Sequence, residues 1–312
     1  MSGIKVVAIG GGTGLPVALR SIKHYTNNIT AIVSVADDGG SSGRLRREMG
    51  ILPPGDIRNC LIALAQDEYM ASLFKYRFKQ GDGIEGHNLG NLIIAALADI
   101  HGEFDRGVDA AAVLLGVQGR VLPSTTGKVT LHADTFDGQP ISGQVKIAQT
   151  TQPLKEVRLD PADAQAYPDA VTAIHEADQI IIGPGSVFTS ILPNLIVPGI
   201  GKALAESKAI KIYACNVMTQ PGETDLFTAC DHIDAIVDHG SLRWIDIAVV
   251  NSAVIPEDKL IDYAEERRYP VSVNCEKIQT LGVSIVMADV IDENKPSCHD
   301  AGKLAAILRE LV

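Results

Sequence analysis

The chain has 312 residues, of which 46% are hydrophobic and only 4% aromatic, and its formal net charge is −11 at pH 7. Its length and apolar content indicate a well-packed globular protein and exclude a disordered one. The negative charge argues against a nucleic-acid partner, because binding to a phosphate backbone needs a basic face, whereas a few local amides and cations can still bind a small anion.

The chain enters a predicted strand within its first residues, without the charged and apolar regions of a signal peptide. No apolar run approaches the about 20 residues that a membrane span needs. The five cysteines have no CxxC spacing, which favours reduced thiols over a disulfide framework or a structural zinc site. We therefore expect a cytoplasmic protein without a membrane span.

The first predicted elements are a strand over residues 4–9, the glycine turn GGGTG over Gly10–Gly14, and a helix over Leu15–Ile22. Successive glycines let backbone N–H groups approach a phosphate, and the following helix offers its positive N-terminus to the anion. We therefore predict a phosphate-binding loop, and its residues are Gly11, Gly12, Thr13 and Gly14.

Neither common nucleotide-binding motif fits this turn completely. Gly10 and Gly12 take the first two places of the dinucleotide fingerprint GxGxxG, but Leu15 stands in the third. A P-loop needs a Gly-Lys-Ser/Thr sequence, and no lysine is present. A nicotinamide-dependent oxidoreductase therefore remains only a weak alternative.

A second predicted strand, Ile29–Val35, runs into the polar stretch VADDGGSSGRLRREMGILPPGDIRN, residues 35–59. We interpret that stretch as a loop with turns. Two adjacent carboxylates, Asp37 and Asp38, suit either a ribose hydroxyl or Mg²⁺, and Asp56 adds a third carboxylate if the loop folds back. Arg44 is expected to bind phosphate oxygens. Asn59 completes the candidate ligand-binding residues of this stretch.

Helical patterns dominate the next part of the chain. Asp56 resembles the N-cap of a long helix that continues to residue 78, and two further helices are predicted, at about Asn88–Ile100 and Asp105–Leu115. Asn88 and Asn91, in the sequence GHNLGN, stand one helical turn apart and share a face. We expect both to make polar contacts with a ligand.

The pattern changes between about residues 118 and 160. Lys128–Ala133 and Ile141–Ala148 alternate apolar and polar residues, and Asp137-Gly138 lies in their connection. This pattern predicts a β-hairpin. We interpret it as a β-rich insertion in a single α/β domain that covers residues 1–312.

The remainder alternates strands with helices. The predicted strands are Gln179–Ile182, Ala209–Ala214, Ile245–Val250 and Val283–Val290, and the predicted helices are Thr224–Asp238, Pro256–Arg268 and Lys303–Leu311. Regular alternation indicates a doubly wound, mostly parallel sheet with its ligand crevice at the carboxyl ends of the strands.

Polar residues follow two of these strands. Gly185, Ser186 and Thr189, in GPGSVFTS, repeat the arrangement of the first glycine turn. Asn216 and Gln220, in CNVMTQPGETD, are neutral hydrogen-bonding partners for a base or a sugar. If the strand order reverses between the first strand and the strand before Gly185, both glycine turns flank the switch point, and one ligand can contact both.

Seven motifs, in this order, resemble the YvcK-like gluconeogenesis factors, which are bacterial relatives of CofD, the 2-phospho-L-lactate transferase of deazaflavin-cofactor synthesis. The motifs are GGGTGL, VADDGGSSGRLR, PPGDIRNCLIALA, GHNLGNLI, TLHA, GPGSVFTSILPNL and CNVMTQPGETD. The resemblance covers nearly the whole chain. It implies a Rossmann-like fold, with phosphates at Gly11–Gly14 and Gly185–Ser186, and metal-binding carboxylates at Asp37 or Asp38 and at Asp56.

The resemblance implies a regulatory protein that binds a UDP-sugar such as UDP-N-acetylglucosamine and supports growth and cell shape on gluconeogenic carbon sources, without turnover. The alternative that it leaves open is a Mg²⁺-dependent transferase acting on a nucleotide-activated substrate. Because the transferase branch lacks the GGSSGRLR extension and the GHNLGN form, its deazaflavin-pocket residues do not carry over. A homodimer is expected, because large α/β domains with exposed apolar helices often dimerise.

Overall fold

The computed structural model describes residues 3–240, 245–273 and 282–312, so Cys275 lies outside the described residues. The strands in chain order are β1 (Val6–Gly10), β2 (Ile29–Val33), β3 (Arg120–Pro123), β4 (Thr130–Thr135), β5 (Pro140–Ser142), β6 (Leu154–Asp160), β7 (Gln179–Ile182), β8 (Ile210–Ala214), β9 (Ile247–Asn251) and β10 (Ser284–Ala288).

Seven of these strands form one parallel sheet in the order β10-β9-β8-β7-β1-β2-β3, and the other three form a small antiparallel sheet in the order β5-β4-β6. The chain runs outward from β1 through β2 to β3, then returns to β7 on the other side of β1. The topological switch point therefore lies between β1 and β7. The predicted fold class, a doubly wound parallel sheet with a small β-rich insertion, is confirmed.

The described helices surround this sheet. They are α1 (Leu15–Ile22), α2 (Gly40–Met49), α3 (Gly55–Leu64), α4 (Glu68–Lys75), α5 (Leu89–His101), α6 (Phe104–Leu114), α7 (Gln144–Ala148), α8 (Pro168–Glu176), α9 (Leu192–Leu195), α10 (Pro198–Glu206), α11 (Ala229–Gly240), α12 (Glu257–Glu265) and α13 (Ala301–Glu310), and a π-helix over Val187–Ile191 precedes α9. Every residue of β1 and β7 is buried, as continuous apolar strands covered on both faces require.

No single described helix is long and apolar enough to cross a membrane. The bent pair Val187–Leu195 and Pro198–Glu206 passes the same test by length and composition, but only when its two parts are taken together.

The prediction of a loop over residues 35–59 is wrong for its central part. Residues 40–49 form α2, in which Leu45 is buried, and the helix ends at Gly50 with the left-handed φ of 67° that favours glycine. The small residues Gly40–Gly43 read as a flexible loop in the sequence. Here Gly43 allows close packing, since a Cβ at that position would lie 1.9 Å from the Asp38 carbonyl oxygen.

The prediction of one long helix from Asp56 to residue 78 is also wrong, because residues 65–67 are not helical and separate α3 from α4. Asp67 caps the second part, α4, by accepting a hydrogen bond from the Met70 amide at 2.9 Å. Asp56 is not an N-cap. The helix α3 begins one residue earlier, at Gly55, and this places the Asp56 carboxylate in the first helical turn.

The β-rich insertion begins later than predicted and contains a third strand, β6, that the hairpin prediction lacked. Residues 120–123 form the edge strand of the large sheet, and the predicted strand Ile141–Ala148 contains only β5 before it turns into α7. The strand β6 completes the small sheet. The predicted helix Thr224–Asp238 begins later, at Ala229, because residues 220–228 make side-chain and backbone contacts of their own.

The loop between β5 and β6 touches both halves of the large sheet. The Val145 amide donates to Asp38 Oδ1 at 3.0 Å, in the loop after β2. At the other end of this segment, a Cβ on Gly222 would lie 1.6 Å from the Thr150 carbonyl oxygen, and Gly222 has a φ of 81°. The insertion is therefore attached near the carboxyl ends of β2 and of β8.

The turns after β1 and β7 meet at the switch point. A Cβ on Gly14 would lie 2.1 Å from the Pro184 carbonyl oxygen and 2.9 Å from the Gly185 Cα. This contact between two backbones leaves no space for any side chain at residue 14. It fixes the distance between the two predicted phosphate loops.

The variant Gly14→Ala should lose about 3 kcal/mol of unfolding free energy, because the added methyl overlaps main-chain atoms that cannot rotate away. Denaturant unfolding followed by circular dichroism measures this loss. Gly10→Ala is the matched control, since its Cβ would meet Leu15 only at 3.5 Å, an ordinary contact. Equal stabilities of the two variants would contradict the interpretation.

Candidate functional site

A cavity of about 340 Å³ opens at the switch point; we call it the switch-point cavity. The predicted ligand-binding residues that line it are Gly12, Thr13, Gly14, Gly185, Ser186, Asn216 and Gln220. Its wall also contains residues that were not predicted, among them Ser190, Met218, Arg268, Cys298 and His299. The two glycine turns and the loop after β8 thus converge on one cavity, as the strand order requires.

The first glycine turn binds a carboxylate of the chain itself. The Gly12 amide donates to Asp56 Oδ2 at 2.7 Å, and a Cβ on Gly11 would lie 2.8 Å from the same oxygen. Gly12 has a φ of 61°, which favours glycine. The amides of Thr13 and Gly14 have no hydrogen-bond acceptor among the described residues, and so they are available to an anion in the cavity.

The second glycine turn is held by one side chain. Asn216 Oδ1 accepts from the Gly185 amide at 3.0 Å, and Asn216 Nδ2 donates to the Gly185 carbonyl at 2.8 Å. The same amide group lies 3.4 Å from Gln220 Oε1. Asn216 therefore fixes the shape of this part of the cavity wall, in addition to lining it.

A buried carboxylate occupies the helix start behind the second turn. Glu223 accepts hydrogen bonds from the hydroxyls of Ser186 and Thr189, the latter at 2.9 Å, and from the amides of Phe188 and Thr189. Burial raises the pKa of Glu223, and these donors oppose that shift. The helix N-terminus predicted to bind a ligand phosphate thus already binds an anion, and Thr189 is not part of the cavity wall.

His299 and Arg268 were missed from the sequence, because they follow other elements far along the chain. Burial lowers the pKa of His299 to about 4, so the ring is neutral at pH 7. It is hydrogen-bonded to the Cys215 backbone, and its Nε2 has no partner among the described residues. The Arg268 guanidinium lies 5.5 Å from the centre of the Tyr263 ring and is 3.3 Å from Glu266.

A second cavity of about 230 Å³ lies at the start of α2; we call it the arginine pocket. Four predicted residues line it: Asp37, Asp56, Asn59 and Asn91. Its other lining residues are Gly39, Gly40, Ser41, Ser42, Gly55, Arg58 and Arg77. Asp56 connects the two cavities, because it lines the arginine pocket and binds the amide of Gly12, a residue of the switch-point cavity wall.

Both carboxylates of the arginine pocket resist ionisation. Burial raises the pKa of Asp56 to about 6, although hydrogen bonding from Gly12 opposes the shift, and the charge of Asp37 adds to it. Burial also raises the pKa of Asp37, against hydrogen bonds from the Gly39 amide at 2.9 Å and the Ser42 hydroxyl. A bound cation would lower the free-energy cost of ionising these two carboxyls.

Five predicted site residues line neither cavity: Gly11, Thr189, Asp38, Arg44 and Asn88. The last three contact other protein groups. Asp38 accepts from the Val145 amide. Arg44 donates to the carbonyls of Gly83 and Glu85, both at 2.8 Å. Asn88 caps α5, where its side chain accepts from the Asn91 amide at 3.2 Å and donates to the Lys75 carbonyl at 3.1 Å.

The three predicted metal ligands do not form one cluster, and the described residues contain no group of three His, Cys, Asp or Glu side chains placed to hold a metal ion. Asp38 is directed to the insertion. Asp37 and Asp56 remain, and two carboxylates suffice for Mg²⁺ when water and substrate phosphates supply its other ligands. The arginine that accompanies them is Arg58, two residues after Asp56, rather than the predicted Arg44.

Comparison with known proteins identifies relatives over the whole chain. Residues 6–291 match the family model of CofD, the 2-phospho-L-lactate transferase. The gluconeogenesis factor of Bacillus subtilis is 46% identical over 310 residues, which cover 99% of this chain and 98% of that protein. The gluconeogenesis factor of Halalkalibacterium halodurans is 45% identical over 307 residues, covering 98% and 95% of the two chains.

A solved structure supports the same relationship. The crystal structure of a UPF0052 family member from Bacillus halodurans superposes with a TM-score of 0.95 at 44% sequence identity and covers 99% of both chains. The β-rich insertion and the loops around both cavities therefore lie within an arrangement that a relative shares.

The variant Asp56→Asn should be more stable than the unsubstituted protein at pH 8 without metal, by about 3 kcal/mol. The folded-state pKa of about 6 exceeds the ordinary value of 3.8, so ionisation costs stability progressively as the pH rises from about 4 to above 6. Asparagine keeps an acceptor for the Gly12 amide without the charge.

Urea unfolding at pH 4 and pH 8, in the presence of a chelator, measures the difference. The advantage of the variant should nearly vanish at pH 4, where the carboxyl is protonated in the folded state and only about half ionised in the unfolded state. Asp82→Asn, at an exposed loop residue, serves as the control. A variant that is less stable than the unsubstituted protein at pH 8 would contradict the prediction.

Proposed function

The chain belongs to the CofD-related family of gluconeogenesis factors, and on that premise we propose that it is a regulatory protein that binds a UDP-sugar in the switch-point cavity. The convergence of two glycine turns and a neutral polar loop on one cavity carries this proposal. In the proposal, the protein acts in the cytoplasm as a homodimer and links the nucleotide-sugar supply to growth and cell shape on gluconeogenic carbon sources.

In this proposal, the diphosphate of the UDP-sugar binds the cationic group and the free amides that line the cavity. The amides of Thr13 and Gly14 face it without a protein acceptor among the described residues, and α1 begins directly behind them. Arg268 supplies a guanidinium on the same wall. A nucleoside diphosphate sugar carries two adjacent phosphates. One phosphate can accept hydrogen bonds from the amides of the glycine turn, and the other from the Arg268 guanidinium.

Neutral groups remain for the base and the sugar. Asn216 and Gln220 offer amide groups, and His299 is uncharged at pH 7. Uncharged hydrogen-bonding partners suit uracil and sugar hydroxyls, which carry no charge themselves. A nicotinamide dinucleotide fits less well, since Leu15 replaces the third glycine of its fingerprint.

A second candidate function is a Mg²⁺-dependent transferase that acts on a nucleotide-activated substrate. The placement of Asp37 and Asp56 in a pocket next to the switch-point cavity favours it. In that candidate these carboxylates hold the metal, and the metal would neutralise charge that develops on the phosphates. The match to a transferase family model favours it as well.

Isothermal titration of the protein with UDP-N-acetylglucosamine, GDP and NAD, each with and without Mg²⁺, tests the two functions. The regulatory function predicts micromolar binding of the UDP-sugar with or without metal, and its recovery intact by chromatography after long incubation. Binding of GDP that needs Mg²⁺, without binding of the UDP-sugar, would overturn it in favour of the transferase.

Arg268→Gln should weaken UDP-N-acetylglucosamine about tenfold or more, because it removes a charge-assisted contact to phosphate. Arg267→Gln is the matched control, since the neighbouring guanidinium pairs with Asp225 at 3.6 Å and does not line the cavity. The same titration measures both affinities. Equal affinities would show that the diphosphate does not contact Arg268.

A further inference from the structure

The arginine pocket contains a buried cation without a carboxylate partner. Arg58 is only 9% exposed, and its guanidinium donates to two neutral acceptors, Asn91 Oδ1 at 2.6 Å and Asn59 Oδ1 at 2.7 Å. Its Nε has no partner, and no carboxylate of the described residues lies within ion-pair distance of it. Buried guanidinium groups are ordinarily paired with an anion.

A second guanidinium lines the same pocket. Arg77 donates to the Gly86 carbonyl at 2.7 Å and, within the described parts of the chain, also has no ion pair. The two guanidinium groups repel each other, and the Asp37 and Asp56 carboxyls of the same wall offset part of that repulsion.

The start of α2 supplies donors to this pocket. The helix has ten residues. Its N-cap residue, Gly39, has no side chain that could accept a hydrogen bond from the first amides of the helix. The amides of Gly40, Ser41 and Ser42 have no acceptor among the described residues, and all three residues line the pocket. Uncapped amides at a helix N-terminus carry partial positive charge and bind oxyanions.

The carboxylates of the pocket already have donors from the chain. Asp37 accepts from the Gly39 amide and the Ser42 hydroxyl, and Asp56 accepts from the Gly12 amide. Neither forms an ion pair with Arg58 or Arg77. Asp37 and Asp56 therefore act on Arg58 only through their charge, and neither carboxyl is hydrogen-bonded to a guanidinium group or to the three amides.

We propose that the arginine pocket is a second ligand site, which binds a small phosphate-bearing molecule separately from the nucleotide sugar. Two guanidinium groups, three uncapped amides and a serine hydroxyl, together with the Asp37 and Asp56 carboxyls, surround a cavity of about 230 Å³, which suits a phosphate with a few attached atoms but not a nucleotide. The site goes beyond the proposed function, because its ligand occupies a cavity separate from that of the nucleotide sugar.

Titration with inorganic phosphate at constant ionic strength, followed by calorimetry, tests the site in the full-length protein. Arg77→Gln should weaken phosphate binding about tenfold or more, because a charge-assisted contact is lost. Lys79→Gln is the matched control, since it removes the same charge from an exposed side chain two residues away and outside the pocket. Arg77 is exposed, so both variants should fold, and circular dichroism checks this.

Equal phosphate affinities of Arg77→Gln and Lys79→Gln would overturn the proposal, as would a failure of phosphate to bind the unsubstituted protein. A further titration adds phosphate in the presence of saturating UDP-N-acetylglucosamine. Phosphate that still binds at saturating UDP-N-acetylglucosamine supports a separate site. A phosphate affinity that keeps falling in proportion to the UDP-N-acetylglucosamine concentration would overturn it and assign the pocket to the nucleotide sugar. If UDP-N-acetylglucosamine does not bind at all, the regulatory function fails while the Arg77 comparison still decides the anion site.

Discussion

The contact between the backbones of Gly14 and Pro184 is the constraint on which the rest of the site depends. It holds the turns after β1 and β7 against each other at the point where the strand order reverses. Once the two turns are fixed, α1 must begin at the cavity, and the Asp56 carboxylate reaches the Gly12 amide. The switch-point cavity is thus bounded by a contact between main-chain atoms, and Asp56 joins its wall to the arginine pocket.

A carboxylate of the chain itself binds at each glycine turn, Asp56 at the first and Glu223 at the second. The two carboxylates differ in how many of the hydrogen-bond donors of their turn they bind. Glu223 takes two hydroxyls and two amides at the start of the π-helix, and it is buried. Asp56 takes only the Gly12 amide and leaves its neighbours unoccupied. The unequal occupation would favour the first turn for a phosphate, since displacing Glu223 from its donors would leave a buried carboxylate without hydrogen bonds.

The fold was predictable from the sequence, because parallel strands such as β1 and β7 are continuous apolar runs and their helices follow at regular intervals. The errors came from short polar stretches. Residues 40–43 combine glycine and serine, which favour loops locally, yet Leu45 is buried and α2 forms. Likewise, the pattern after Asp56 shows helical periodicity across residues 65–67, whereas the Asp67 cap starts a new helix.

The candidate site residues also fall into a group that the sequence predicted and a group that it did not. Backbone donors in the glycine turns were predictable, because glycine sequence dictates their geometry. The directions of long side chains were not: Arg44 reaches loop carbonyls and Arg58 faces the pocket, although both lie in one predicted loop. Arg268 and His299 come from distant parts of the chain, and only the folded sheet brings them to Gly12.

The Asp56 carboxyl connects the two cavities, because it lines the arginine pocket and holds the Gly12 amide in the wall of the switch-point cavity. A ligand that favours the ionised carboxylate in one cavity would change the charge that a ligand meets in the other. Such coupling is reciprocal, so each ligand would alter the affinity of the other by the same factor. One carboxyl group would thereby link the occupancy of the two cavities.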